Sequence, residues 1–318
     1  MHLATYVARR LALLVFTLLV ISLLISALMN LLPGDAVEVI VGNWARASGS
    51  DLAGLRASFG LDLPWYEQYV SWLAGMARGE FGDSIALHHA AMPEIIARLS
   101  NSLLLAAPAF VLAVSISLSA GVWAAIRQGT IPDSAILLFT LLGISIPAFV
   151  VGPLLIVVFS GWLHLLPASS AISSDAPVTS QILLLILPIA TIVIEVLAHI
   201  TRTVRGSMIQ ALRTPYVRMA QLKGLPPKTV VAKHALRNAL APTVTVIALN
   251  VGWLIGGVVV IEQVFSYPGI GSLLIFAIDQ RDLPLLRLTV FAIAAIYCFA
   301  NLIADVIHAL LDPRVLHG

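Results

Sequence analysis

Six apolar runs constrain this chain more than any other feature. They are Leu11–Leu32, Leu103–Ile126, Ala135–Ser160, Ile182–Thr201, Pro242–Val264 and Leu288–Leu310. A helix needs about 20 apolar residues to cross the hydrocarbon core. Within lipid, only helices and closed barrels satisfy their own backbone. Charged residues make up 11% of the chain, against about 25% in an ordinary soluble domain. The expected fold class is therefore an all-α membrane protein with about six transmembrane helices. Prolines within the runs, such as Pro147, Pro153 and Pro188, are compatible with this. The run after Arg9-Arg10 is about 22 residues, longer than the roughly 7–15 of a signal peptide. It is read as a retained first span. The single cysteine, Cys298, rules out an internal disulfide.

Charge sets the direction of the spans. With the N-terminus inside, Arg9, Arg10, Arg127, the eight basic residues between spans four and five, and Arg314 all fall inside. Arg46, Arg56, Arg78, Arg98, Arg281 and Arg287 fall outside. Inner loops carry the excess of Lys and Arg, so both termini are expected to be cytoplasmic. The segment Pro33 to Asn101 then lies outside, with eight acids and four basic residues. It is expected to form a partly helical extracytoplasmic cap. The working division is 1–100, the first span with its cap, and 101–318, a core of five spans. That core carries the inner loop 202–241. There is no internal repeat.

The inner loop is the clearest pointer to function. Arg202, Arg205, Arg213, Arg218, Lys223, Lys228, Lys233 and Arg237 lie in it, with no acid. Thr214 fits an N-cap and Pro215 the first helical position. Gly224 fits a left-handed stop, and Pro226-Pro227 prevents continuation. The helix between them is only about 13 Å long and needs something to pack against. A second helix, about Lys228 to Leu240, leads back to Pro242. Anionic lipid would account for the charge alone. Nucleic acid is not expected, because aromatic interleaving is missing. A short helix docking on a cytoplasmic partner protein accounts for the punctuation as well.

The spelling of this loop resembles a known family. Tyr216, Arg218, Ala220, Lys223 and Gly224, followed by His234-Ala235-Leu236-Arg237-Asn238-Ala239, resemble the EAA loop of binding-protein-dependent ABC importer permeases. The general pattern has Glu-Ala-Ala where this chain has Arg218-Met219-Ala220, so only the alanine matches. The peptide-permease branch reads Tyr-x-Arg-x-Ala-x-x-Lys-Gly, which this chain reproduces. Pro33-Gly34-Asp35, Phe59-Gly60-Leu61-Asp62-Leu63-Pro64, Arg78-Gly79-Glu80-Phe81-Gly82-Asp83-Ser84 and Ser145-Ile146-Pro147-Ala148-Phe149 follow the same branch. So do Gly161-Trp162-Leu163-His164, Glu262 to Gly271, and Leu311-Asp312-Pro313-Arg314. In order, they resemble the B-type subunit of dipeptide and oligopeptide importers, a branch that also carries nickel and glutathione.

The resemblance implies a type I importer permease fold in a prokaryotic plasma (inner) membrane. It implies a second, homologous permease subunit, two ATP-binding-cassette ATPase subunits and an extracytoplasmic substrate-binding protein. The chain has no Gly-x-x-x-x-Gly-Lys-Ser/Thr, so ATP and Mg are expected on the ATPase subunits, with no cofactor or metal on this chain. Tyr216, Arg218, Ala220, Lys223 and Gly224 would form the ATPase-coupling element. The translocation path or gate would involve Glu195, Asn250, Phe265, Pro268, Gly269 and Gly271, with Pro268-Gly269-Ile270-Gly271 a sharp turn before a short helix. Glu195, one turn from His199, is read either as an ion pair within span four or as a path residue. Gly252-x-x-x-Gly256 is read as a close-packing face. Catalytic residues are not expected. Gly143-Ile144-Ser145 faintly resembles an intramembrane serine protease motif, but Pro147 stands where a glycine is needed.

Overall fold

The computed structural model describes residues 3–31, 62–171 and 178–311. The motifs Pro33-Gly34-Asp35, Phe59-Gly60-Leu61 and Asp312-Pro313-Arg314, and the first part of the expected cap, lie outside the described residues. Eleven α-helices carry the described chain. They are α1 (Leu3–Leu31), α2 (Trp65–Ala77), α3 (Ala91–Ile126), α4 (Ile131–Ser145), α5 (Ala148–Leu155) and α6 (Val178–Leu212). After these come α7 (Pro215–Leu222), α8 (Pro227–Thr229), α9 (Leu236–Val264), α10 (Ile270–Asp279) and α11 (Leu283–Leu311). Two π-helical turns, Ile156–Trp162 and Val230–Ala235, extend α5 and join α8 to α9. Among the described residues the only bridge is between Asp83 and Ala90. An all-α fold is what the apolar runs require.

Four helices are each long and apolar enough to cross a membrane, and six spans result if each of two bent pairs is one span. The third expected span, Ala135–Ser160, is one of these pairs. It is not straight: Ile131–Ser145 and Ala148–Trp162 meet at 108°. The cause is local. Ile146 precedes Pro147 and is driven out of the helical region to φ −104°, ψ 115°. Pro108, Pro153, Pro188 and Pro242 all sit inside helices. Helices α3 and α6 run well past the expected ends of their spans. Their 36 and 35 residues give about 54 Å and 52 Å, against a hydrocarbon core of about 30 Å. Arg202 and Arg205 are therefore a continuation of the α6 helix and not part of a loop.

The chain divides into two compact units: Leu103–Tyr267 with Ala300–Gly318, and Leu3–Ser102 with Pro268–Phe299. Residues Pro268–Phe299, grouped by sequence with the C-terminal core, fall with the N-terminal unit. The first unit is built on the pairing of α6 and α9, whose Ile192, Val196, Ile200, Val204, Leu254, Val258 and Ile261 form much of its buried core. Glycines let the other helices approach this pair closely. A Cβ at Gly121 of α3 would fall 2.6 Å from Val204 Cβ and 3.0 Å from the Thr201 carbonyl oxygen. Gly143 meets Ala198 of α6 in the same way, and Gly152 of α5 meets Val264 and Phe265. Gly121→Val is expected to cost about 1–3 kcal/mol by overpacking. A melting temperature unchanged from wild type in detergent would rule out this contact. At Gly256 nothing lies within 4 Å of a Cβ, while Gly252 is buried.

In the second unit α1 and α2 are joined by Ser22 Oγ and Tyr69 OH at 3.0 Å. The apolar centre is formed by Ala91, Ile95, Ile270, Leu273, Ala277, Leu285, Leu286 and Leu288. Asp282 is fully buried and caps α11, accepting from Leu285 N at 3.1 Å. Its other oxygen accepts from the Ser84 hydroxyl and from Ala86 N at 2.9 Å, which ties the 84–86 loop to the helix start.

Candidate functional site: the short helix of the basic segment

Helix α7 starts and stops where its sequence dictates. Thr214 has the extended backbone of an N-cap, and Pro215 is the first helical residue. The cap is backbone only: Thr214 Oγ1 donates back to Ala211 O at 2.6 Å instead of accepting from the new helix. At the other end Gly224 adopts φ +75°. Its N–H donates to Gln221 O at 2.9 Å, and the Leu225 N–H donates to Ala220 O at 3.4 Å. This pair of bonds is a Schellman stop, which needs a left-handed residue at position 224. Nothing lies near a Cβ there, so the demand for glycine comes from the backbone and not from crowding.

Tertiary packing then splits the helix into two faces. Val217 and Ala220 are buried in the core of the first unit with Val230 and Ala235 of the following π turn. Asn238 Nδ2 donates to Tyr216 OH at 2.6 Å, joining α7 to α9. Ala220 is thus a packing residue and not part of the open face. That face carries Tyr216, Arg218, Met219, Leu222 and Lys223, with Leu222 76% and Met219 55% exposed. Two large apolar side chains left open on an eight-residue helix are what sequence reading missed. A possible signal was present: five of the eight residues are apolar or aromatic, more than one buried face can use.

The base of this region is clamped from α4. Arg205 donates to Asp133 through Nε at 2.6 Å and Nη2 at 2.7 Å. Asp133 is buried and also accepts from Gly129 N at 2.9 Å. Bidentate pairs of this kind fix orientation as well as charge. Arg205 is therefore neutralised within the chain. The other seven basic residues of the segment are exposed. The open surface is thus apolar at α7 and positive around it. An open apolar surface of this kind suits docking on a partner.

The polar residues of the spans are placed as follows. Glu195 is half-buried in α6, and its Oε2 has no hydrogen-bond partner. No ion pair joins it to His199, which is exposed one turn on, so that reading is corrected. Asn250 is buried in α9 and donates to Val246 O of its own helix at 2.8 Å. Phe265 is fully buried, and its carbonyl accepts from Ser170 N at 2.7 Å. The turn after α9 is made by Ser266 at φ +52°, with Tyr267 N donating to Glu262 O at 2.8 Å. The Tyr267 hydroxyl, outside the spans, is pushed up to about 12 by burial and by the Glu262 charge. Pro268 is partly buried; Gly269 precedes α10 in extended backbone, and Gly271 is buried in its first turn. The expected short helix is present, and the chain turns at Phe265-Ser266 and bends again at Gly269 before it.

The chain has known relatives. Residues 117–317 match the model of the "Binding-protein-dependent transport system inner membrane component", and residues 3–105 match the N-terminal model of the same transport-system membrane components. The chain is 36% identical to the di/tripeptide transport system permease protein DppB of Pseudomonas aeruginosa, covering 98% of this chain and 99% of the relative. It is also 36% identical to the glutathione transport system permease protein GsiC of Escherichia coli, with 98% of each covered. With its several apolar spans, the chain belongs to the binding-protein-dependent transport inner membrane family and is a transmembrane permease subunit of an ABC importer.

Proposed function

We propose that this chain carries dipeptides or oligopeptides inward across the inner membrane, and that α7 is its coupling helix. Both termini would be cytoplasmic, with a homologous permease beside it, two ATPase subunits beneath and a substrate-binding protein outside. The observation that carries the reading is α7 itself: a short helix held rigidly by Val217, Ala220 and the Tyr216–Asn238 bond, with Met219 and Leu222 left open. A helix anchored on one face and apolar on the other can transmit closure of an ATPase to the packed spans as a two-state element. ATP and Mg would be bound and ATP hydrolysed on the partner subunits. Arg218 and Lys223 would pair with acids on the ATPase. Glu195 and Asn250 would border the path, Glu195 through its unpaired carboxylate oxygen. Phe265 to Gly271 would form part of the outer gate. The peptide cargo is supported by the names of both relatives, since glutathione is itself a tripeptide.

Reconstitution tests this. With its partner permease, ATPases and binding protein, the chain should support ATP-dependent peptide uptake, while alone in proteoliposomes it should show none. Uptake by the lone chain on an ion gradient would overturn the reading. Gly224→Val forces a β-branched residue into left-handed backbone at about 2 kcal/mol, and uptake should fall at least about tenfold while the chain remains inserted. Gly224→Asn should stay close to wild type. Equal uptake by the valine variant and wild type would remove α7 from the coupling role.

A further inference from the structure

Among the described residues of the second unit, Trp72, Arg287 and Thr289 each bury a polar side-chain atom without a hydrogen-bond partner. Arg287, in the second turn of α11, is 6% exposed, and its Nε and Nη2 have no partner. The indole Nε1 of Trp72, in α2, is buried in the same state. Phe291 connects the two. The Trp72 ring meets the Phe291 ring edge-on, centroids 6.0 Å apart and planes at 76°. Phe291 follows Arg287 by four residues, on the same face of the helix. The acid nearest in sequence, Asp282, is already committed to Ser84, Ala86 and Leu285. Glu94 pairs with Arg98 at 2.6 Å.

A guanidinium stays charged inside a fold, and a buried charge without a counterpart is strongly unfavourable. An indole N–H can only donate. Among the described residues, the donors come from two helices and carry a full positive charge, and no carboxylate is bonded to them. That combination selects an anion with oxygen acceptors, and the planar guanidinium fork matches a carboxylate. We propose that Arg287 and Trp72 form a carboxylate-binding site in the second unit. The carboxylate is either a free small ion or the C-terminus of a cargo peptide; the second source rests on the cargo reading above, and the site itself does not.

The test is thermal unfolding of the full chain in lipid nanodiscs at matched ionic strength, with sodium acetate, glycylglycine or glycylglycinamide. Acetate and glycylglycine should raise the melting temperature by about 2–4 °C well above their dissociation constants. Glycylglycinamide, which lacks the carboxylate, should not. Arg287→Gln should lose the rise, Arg287→Lys should keep part of it, and Trp72→Phe should shift it to higher ligand concentration. A response to glycylglycine at lower concentration than to acetate supports the site and assigns it to cargo. Equal concentrations support it as a carboxylate-ion site. No rise with either carboxylate, an equal rise with the amide, or a full rise in Arg287→Gln overturns the proposal. The comparison of carboxylate with amide on wild type holds even where a variant fails to fold. Because the readout is binding, a negative result leaves the uptake assay standing, and a cargo other than peptide leaves the acetate arm intact.

Discussion

Leu222→Asp is expected to reduce ATP-driven uptake to background and to release the ATPase subunits during purification, while the chain still reaches the membrane. Leu222 is 76% exposed and makes no part of the buried core, so the fold loses little from the change. Burying a leucine side chain against a partner is worth roughly 2 kcal/mol, and a carboxylate placed in the same apolar groove adds a desolvation cost. Together they weaken docking by at least about 100-fold. Met219→Asp should act in the same direction and less strongly, being half exposed. Val217→Asp is the contrast. It places a charge in the first unit's core and should lower the yield of folded chain rather than uncouple it. Full co-purification of the ATPase with Leu222→Asp would show that the open face of α7 is not the docking face.

The second large effect concerns the clamp beneath that helix. Asp133→Ala leaves Arg205 without its carboxylate and Gly129 N without its acceptor. Removing one partner of a buried pair costs about 3 kcal/mol, because the remaining charge is stranded. For a chain of this size that is a fall of roughly 5 °C in melting temperature. The double change Asp133→Ala with Arg205→Met should recover most of it, since no unpaired charge remains. Measurement is by thermal unfolding in detergent, as a double-mutant cycle. A double variant no more stable than Asp133→Ala would show that the pair is not coupled.

The legible parts of this fold are those set by solvent or by a few consecutive residues. Apolar runs of this length in lipid favour helix, so four single helices and two bent pairs were visible as runs. Gly224 was visible because a left-handed stop has a residue preference that needs no partner. The branch spelling from Tyr216 to Gly224 pointed to the family before any coordinates. The illegible parts are pairings. Arg205 counted as one more positive charge in a loop, yet it continues the α6 helix and is held by Asp133, 72 residues earlier. The ion pair read for Glu195 and His199 followed from helical spacing alone, but spacing does not decide which way each side chain faces.

The prolines make the same point. Five lie within the six apolar runs, and of these only Pro147 stands at a break in its span, because Ile146 is held in extended backbone there. Before α10 the chain bends at Gly269, as residue preference suggested, but it also turns at a serine, Ser266, at φ +52°.

By itself the sequence determined the all-helical membrane class, the approximate spans, the ends of α7 and the family. Tertiary structure alone decided which face of α7 is buried, where Arg205 finds its counterion, and that Arg287 finds none. The physical reason is range. Solvation by lipid and backbone preference act within a few residues, whereas a buried face or a buried charge is defined by what distant segments bring against it.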